Sequence, residues 1–149
     1  MACVRTDSDC LRRAATHIAH DVRMLREAWR QQANALAYTA WFVHCRSVMD
    51  FFAGVGLKPD DDIYAWHYFA KQDEWDAERE KVPKPLRYKD YREAVNKLAA
   101  HLTYSRVDYA ETRELPPSRE ITEYLLGLAG LFVRLLPAER AAWFGGLAL

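Results

Sequence analysis

Apolar side chains at Leu11, Ala15, Ile18, Val22, Leu25 and Trp29 recur at alternating steps of four and three residues. An α-helix turns about 100° per residue, so this spacing lays them along one stripe and predicts a long amphipathic helix from about Ser8. Asp7 or Ser8 can cap its start by accepting a hydrogen bond from a free backbone N–H. Asn34 is a second cap, and it opens a helix that runs to Ala53 before Gly54 and Gly56 stop it. Here the apolar residues (Leu36, Trp41, Phe42, Val43, Val48, Met49, Phe51, Phe52) cover more than one stripe, which predicts a central helix contacted on several sides. Pro59 excludes a helix, and a carboxylate among Asp60, Asp61 and Asp62 restarts a short one that ends around Lys71. The stretch from Asp73 to Asp90 carries Pro83 and Pro85 and reads as an irregular connection. A fourth helix spans roughly Lys89 to Tyr109, with Tyr91, Val95, Leu98 and Leu102 on one face. Pro116 and Pro117 precede a fifth, Ser118 to Leu136, and Pro137 suits the first turn of a short sixth, "PAERAAWF". Gly127 and Gly130 leave a flat spot in the fifth helix, read as core packing ahead of a dimer face.

No strand-like alternation and no internal repeat interrupts this pattern. The expected fold is all-α: one domain over residues 1–149, an up-and-down bundle of four main helices with one or two short extra helices. A chain of 149 residues with five Trp, eight Tyr and six Phe has the material for a core without help from metals or disulfides. Basic and acidic residues balance at 21 each, so no overall field draws the chain to nucleic acid or an anionic membrane. The cysteines Cys3, Cys10 and Cys45 form no Cys-x-x-Cys pair and read as incidental thiols of a reduced, cytoplasmic protein. The charged start "MACVRTDSDC" is unlike a signal peptide, and the most apolar run, Tyr124 to Leu136, is too short to cross a bilayer and contains Arg134. No membrane partner is expected.

Candidate chemistry centres on "NKLAAHLTYSR", residues 96–106. His101 shares a face with Lys97 and Ser105 and borders the apolar Leu98 and Leu102, which places it at the rim of the core. The structural account is a boundary histidine bonded to a neighbouring helix; the chemical one is an acid/base group. Two segments resemble the pattern of HEPN-type helical domains of bacterial proteins. The first is matched by Asn34, Ala35, His44, Arg46, Asp50 and Phe51. The second is matched by Asn96, Lys97, Ala100, His101, Leu102, Thr103, Tyr104 and Arg106. The resemblance runs from Asn34 to Arg106, with the HEPN-like part taken as about residues 34–109.

The resemblance implies a helical bundle that often forms homodimers and, in active members, a metal-independent ribonuclease. Their signature is an arginine followed, after four to six intervening residues, by a histidine at a dimer face. The guanidinium holds phosphate while the imidazole moves the proton. This chain departs from that signature, because Ala94, Val95 and Asn96 stand where the arginine belongs. Arg92 lies about 900° of helix rotation before His101 and points the other way. Lys97 shares the face but is a point charge, and Arg106 lies about 140° round. Arg46 could supply the cation only by turning inward toward the histidines. The literal matches Arg12 with His17 and Arg13 with His20 fall on what reads as a solvated face.

Other groups are read the same way. His17, His20 and Asp21 have helical spacing, but with no Glu-x-x-His and no His-x-x-x-His no metal site is assigned, and no cofactor. His44 could meet His101 across the bundle. Arg46 and Asp50 are four apart and can bridge each other. The basic run Arg79, Lys81, Lys84, Arg87 and Lys89 reads as a solvated loop. The absence of a Gly-rich phosphate loop, a Gly-x-Ser-x-Gly elbow or a dinucleotide fingerprint disfavours nucleotide-dependent enzymes. The leading expectation is therefore a HEPN-like binding or interaction module, dimeric, partnered by RNA or a protein, in bacterial defence or toxin–antitoxin biology. Its binding residues would be Asn96, His44, Tyr104 and Asp50. The alternatives are a ribonuclease using His101 with Lys97, Arg46 or Arg106, and a metal-binding bundle.

Overall fold

The computed structural model describes residues 7–53, 62–100, 116–145 and 147, and these contain helices and no strand. The first two helices follow the apolar pattern closely. Helix α1 spans Ser8–Arg30 and is capped by Asp7, whose carboxylate accepts from the Asp9 N–H at 2.9 Å. Helix α2 spans Ala35–Ala53, and the Asn34 side chain accepts from Leu36 N–H at 2.8 Å. The short connection turns the chain back, so α1 lies along α2 over much of its length.

After residues 54–61, which lie outside the description, a 3₁₀ turn occupies Ala65–Tyr68, shorter than the helix predicted up to Lys71. Helix α3 (Gln72–Glu80) then forms in the stretch predicted to be irregular. It buries one large side chain, Trp75, against Phe52, Phe69 and Phe132. Asp73 and Glu74 in its first turn complement the positive helix start. Helix α4 begins at Tyr88 and is described to Ala100, so the predicted extension to Tyr109 falls outside the described residues. Helix α5 (Arg119–Leu135) is capped by Ser118, and α6 is the short Ala138–Ala142.

Helix α2 is the hub, packed against α1, α4 and α5. Phe132 of α5 fills the centre of the core, edge-on to Phe51, Phe52, Tyr68, Trp75 and Phe144. Such ring pairs gain electrostatic energy beyond the area they bury. Two polar groups of buried aromatic side chains are paired: Trp41 Nε1–H donates to Thr122 Oγ1 at 2.9 Å, and Tyr68 O–H donates to Leu11 O at 2.8 Å.

Three expectations need correction. Leu36 and Val43, counted as packed faces of the central helix, are 82% and 44% exposed. Gly130 is buried, but a Cβ added to Gly127 would meet nothing within 4 Å, so only one of the two glycines serves core packing. Cys45 is a buried free thiol, whereas Cys10 is disulfide-bonded, so the reading of Cys10 as an incidental thiol is corrected; Cys3 lies outside the described residues. Among the described residues no helix is long and apolar enough to cross a membrane.

Candidate functional site

The densest polar arrangement sits on the seam between α1 and α2. Asp21 lies at the edge of the α1 apolar stripe and turns toward α2. His44 and Ser47 are three residues apart there and so project from one face, one above the other. One carboxylate engages both. The Asp21 Oδ1 lies 2.9 Å from His44 Nδ1, and Oδ2 accepts from the Ser47 hydroxyl. An ionised carboxylate can only accept, so Nδ1 carries the proton and, in the neutral ring, Nε2 carries the lone pair. The His44 and Asp21 side chains are 17% and 21% exposed. The exposed His20 presents its ring edge-to-face to His44, with centroids 5.9 Å apart.

Burial pushes the Asp21 pKa upward, but the bonds from His44 and Ser47 and the positive potential of His44 and His20 outweigh it, so the carboxyl stays below its ordinary value. An imidazole held through one nitrogen, with the lone pair on the other, is of the kind that serves in proton transfer or metal ligation. It is not a nucleophilic triad, because Ser47 donates to the carboxylate rather than to the imidazole.

A second cluster lies between α2 and α4. Arg46 and Asp50 do bridge, at 3.6 Å, and Arg92 of α4 pairs with the other Asp50 oxygen. Arg46 and Arg92 therefore share one carboxylate. Lys97 pairs with Glu93 at 2.5 Å, and Asn96 is exposed. Burial pushes the nearby Cys45 thiol well above its usual range, partly offset by the Arg92 charge. His101, Tyr104 and Arg106 lie outside the described residues.

The structure thus joins Arg46 to Asp50 and directs His44 toward α1. Sequence reasoning missed Asp21 as the partner of His44, and with it Ser47, His20 and the inward-turned Arg92. The one available signal was the His44/Ser47 spacing on a helix that follows α1 after a short turn. Asp21, considered as a metal ligand beside His17, is instead occupied by His44 and Ser47. Among the described residues no three His, Cys, Asp or Glu side chains gather as a metal-binding group. The predicted solvated basic run also changes: Lys81 and Arg87 are exposed, but Arg79 turns inward onto the end of α2. No family model, curated protein or solved structure matches the chain.

Proposed function

We propose that this chain is a HEPN-like binding or interaction module, an up-and-down helical bundle that self-associates through α2. The observation that carries the reading is the exposure of Leu36 and Val43. They are seven residues apart, two turns along one helix face, so they align on the most heavily packed helix of the fold. Single exposed apolar residues are ordinary, but an aligned pair on a rigid helix is a contact surface of the kind a partner helix covers. We take the partner to be a second copy, with a further protein or RNA as an additional partner in a bacterial defence or toxin–antitoxin setting. A cytoplasmic location belongs to the same proposal.

The pairing of the candidate cations supports the module over the ribonuclease. Arg46 and Arg92 are committed to Asp50, and Lys97 to Glu93, so phosphate would have to displace a carboxylate from each. Light scattering on the wild-type chain and on Leu36→Glu/Val43→Glu tests the reading. A dimer that becomes a folded monomer is expected; a wild-type chain that stays monomeric at high concentration would sink it. RNA cleavage by the wild type that is lost in His101→Ala would favour the nuclease instead.

A further inference from the structure

We propose that His20 and His44 form a two-imidazole site for a borderline divalent transition-metal ion, of the Zn²⁺ or Ni²⁺ kind, at the α1–α2 seam. This inference is independent of the self-association reading. Three observations converge on it. First, His44 has its Nδ1 held by Asp21 at 2.9 Å, which in the neutral ring leaves the lone pair on Nε2. A metal-ligating histidine almost always passes its other N–H to such a carboxylate or carbonyl, which fixes the ring and raises the basicity of the ligating nitrogen. Second, both Asp21 oxygens are engaged, the second by Ser47, so the carboxylate is itself held in place and serves as a positioning group, not a ligand.

Third, the ring separation fits a shared ion. A Zn–N bond of about 2.0–2.1 Å places each ring centre about 3 Å from the metal, so two rings on one ion lie roughly 5–6 Å apart. The His20 and His44 centroids are 5.9 Å apart. Both residues sit inside regular helices, which fixes their Cα positions. His20 is exposed, so its ring can turn to present a nitrogen. With both Asp21 oxygens engaged, and no group of three His, Cys, Asp or Glu able to hold a metal ion among the described residues, water completes the coordination. The ion would therefore be exchangeable and accessible, unlike one enclosed by four protein ligands. Imidazole nitrogen favours zinc, nickel or copper over magnesium or calcium.

The test is isothermal titration of the full chain, free of any histidine tag, with Zn²⁺, Ni²⁺ and Mg²⁺. One equivalent of Zn²⁺ or Ni²⁺ per chain is expected, and no binding of Mg²⁺. His20→Ala should abolish binding; its ring lies at the surface, so the variant is expected to keep its helix content by circular dichroism. Asp21→Asn should weaken binding about 10- to 100-fold, the usual effect of losing the group that orients a ligating histidine. His17→Ala, one turn from His20 and equally exposed, should leave binding unchanged. No saturable binding by the wild type, binding that survives His20→Ala, or loss in His17→Ala would overturn the assignment.

Discussion

Replacing Arg79 by methionine should destabilise the protein by about 2–3 kcal/mol, although Arg79 lies in a segment whose sequence looks like solvated linker. The last four carbonyls of a helix have no partner within it. At the end of α2, Arg79 Nη1 donates to Ala53 O at 2.8 Å, and Trp75 Nε1–H donates to Phe52 O at 3.1 Å. The Arg79 side chain is only 13% exposed, so water cannot readily replace it once the guanidinium is gone. Losing a hydrogen bond from a charged group costs about 1.5–3 kcal/mol, and the favourable placement of a cation at a helix C-terminus adds up to about 1 kcal/mol. The ion pair with Asp76 adds little, since that carboxylate is about one-third exposed. At roughly 2–4 °C per kcal/mol for a chain of this size, Tm should fall by about 5–10 °C. Urea unfolding should show the midpoint lowered at unchanged slope. Arg79→Lys should recover part of the loss, because a single ammonium can reach one carbonyl but lacks the planar fork. A loss below about 0.5 kcal/mol in Arg79→Met would refute the capping argument, because that is the range of ordinary surface substitutions.

Gly127→Ala should raise stability by about 0.5–1 kcal/mol in urea unfolding, since the added methyl meets nothing and helix interiors favour alanine; a destabilised variant would contradict the open geometry. Phe132→Ala should cost about 3–5 kcal/mol, a large part of the 5–15 kcal/mol typical of a whole domain, and far-UV circular dichroism at 37 °C should show substantial unfolding. The Asp21 carboxyl titrates below its ordinary value in the folded chain, so its stabilising contribution is present above about pH 4 and is lost as pH falls through the folded value. The gap in urea midpoint between wild type and Asp21→Asn should therefore shrink on acidification from about pH 5 toward pH 2, and a gap that stays constant would contradict the depressed value. Cys45, buried and with its thiol pushed up, should resist thiol reagents in the native protein and react once it is unfolded.

What the sequence discloses follows the range of each interaction. The α1 stripe was legible because its seven- and eleven-residue repeats are local, and Asp7, Asn34 and Ser118 announced three helix starts within a few residues of each. Helix α3 was hidden because "QDEWDAERE" offers one large apolar residue; Trp75 finds its pocket among Phe52, Phe69 and Phe132, residues it meets only through tertiary packing. Apolarity on several sides of α2 was equated with burial, which held for Trp41 and Phe52 but not for Leu36. The Asp21–His44 pair spans two helices, and no local pattern sets their relative register. The Arg46–Asp50 pair, four apart on one helix, could be anticipated; Arg92 joining it from α4 could not.

The two indoles that bracket α2 also make the molecule convenient to watch. Trp41 is bonded to Thr122 and Trp75 to the Phe52 carbonyl, so each indole proton reports on a different end of the same helix. In a proton–nitrogen correlation spectrum both signals would fall apart from the crowded amide region. Their separate rates of deuterium uptake would reveal which end of α2 opens first.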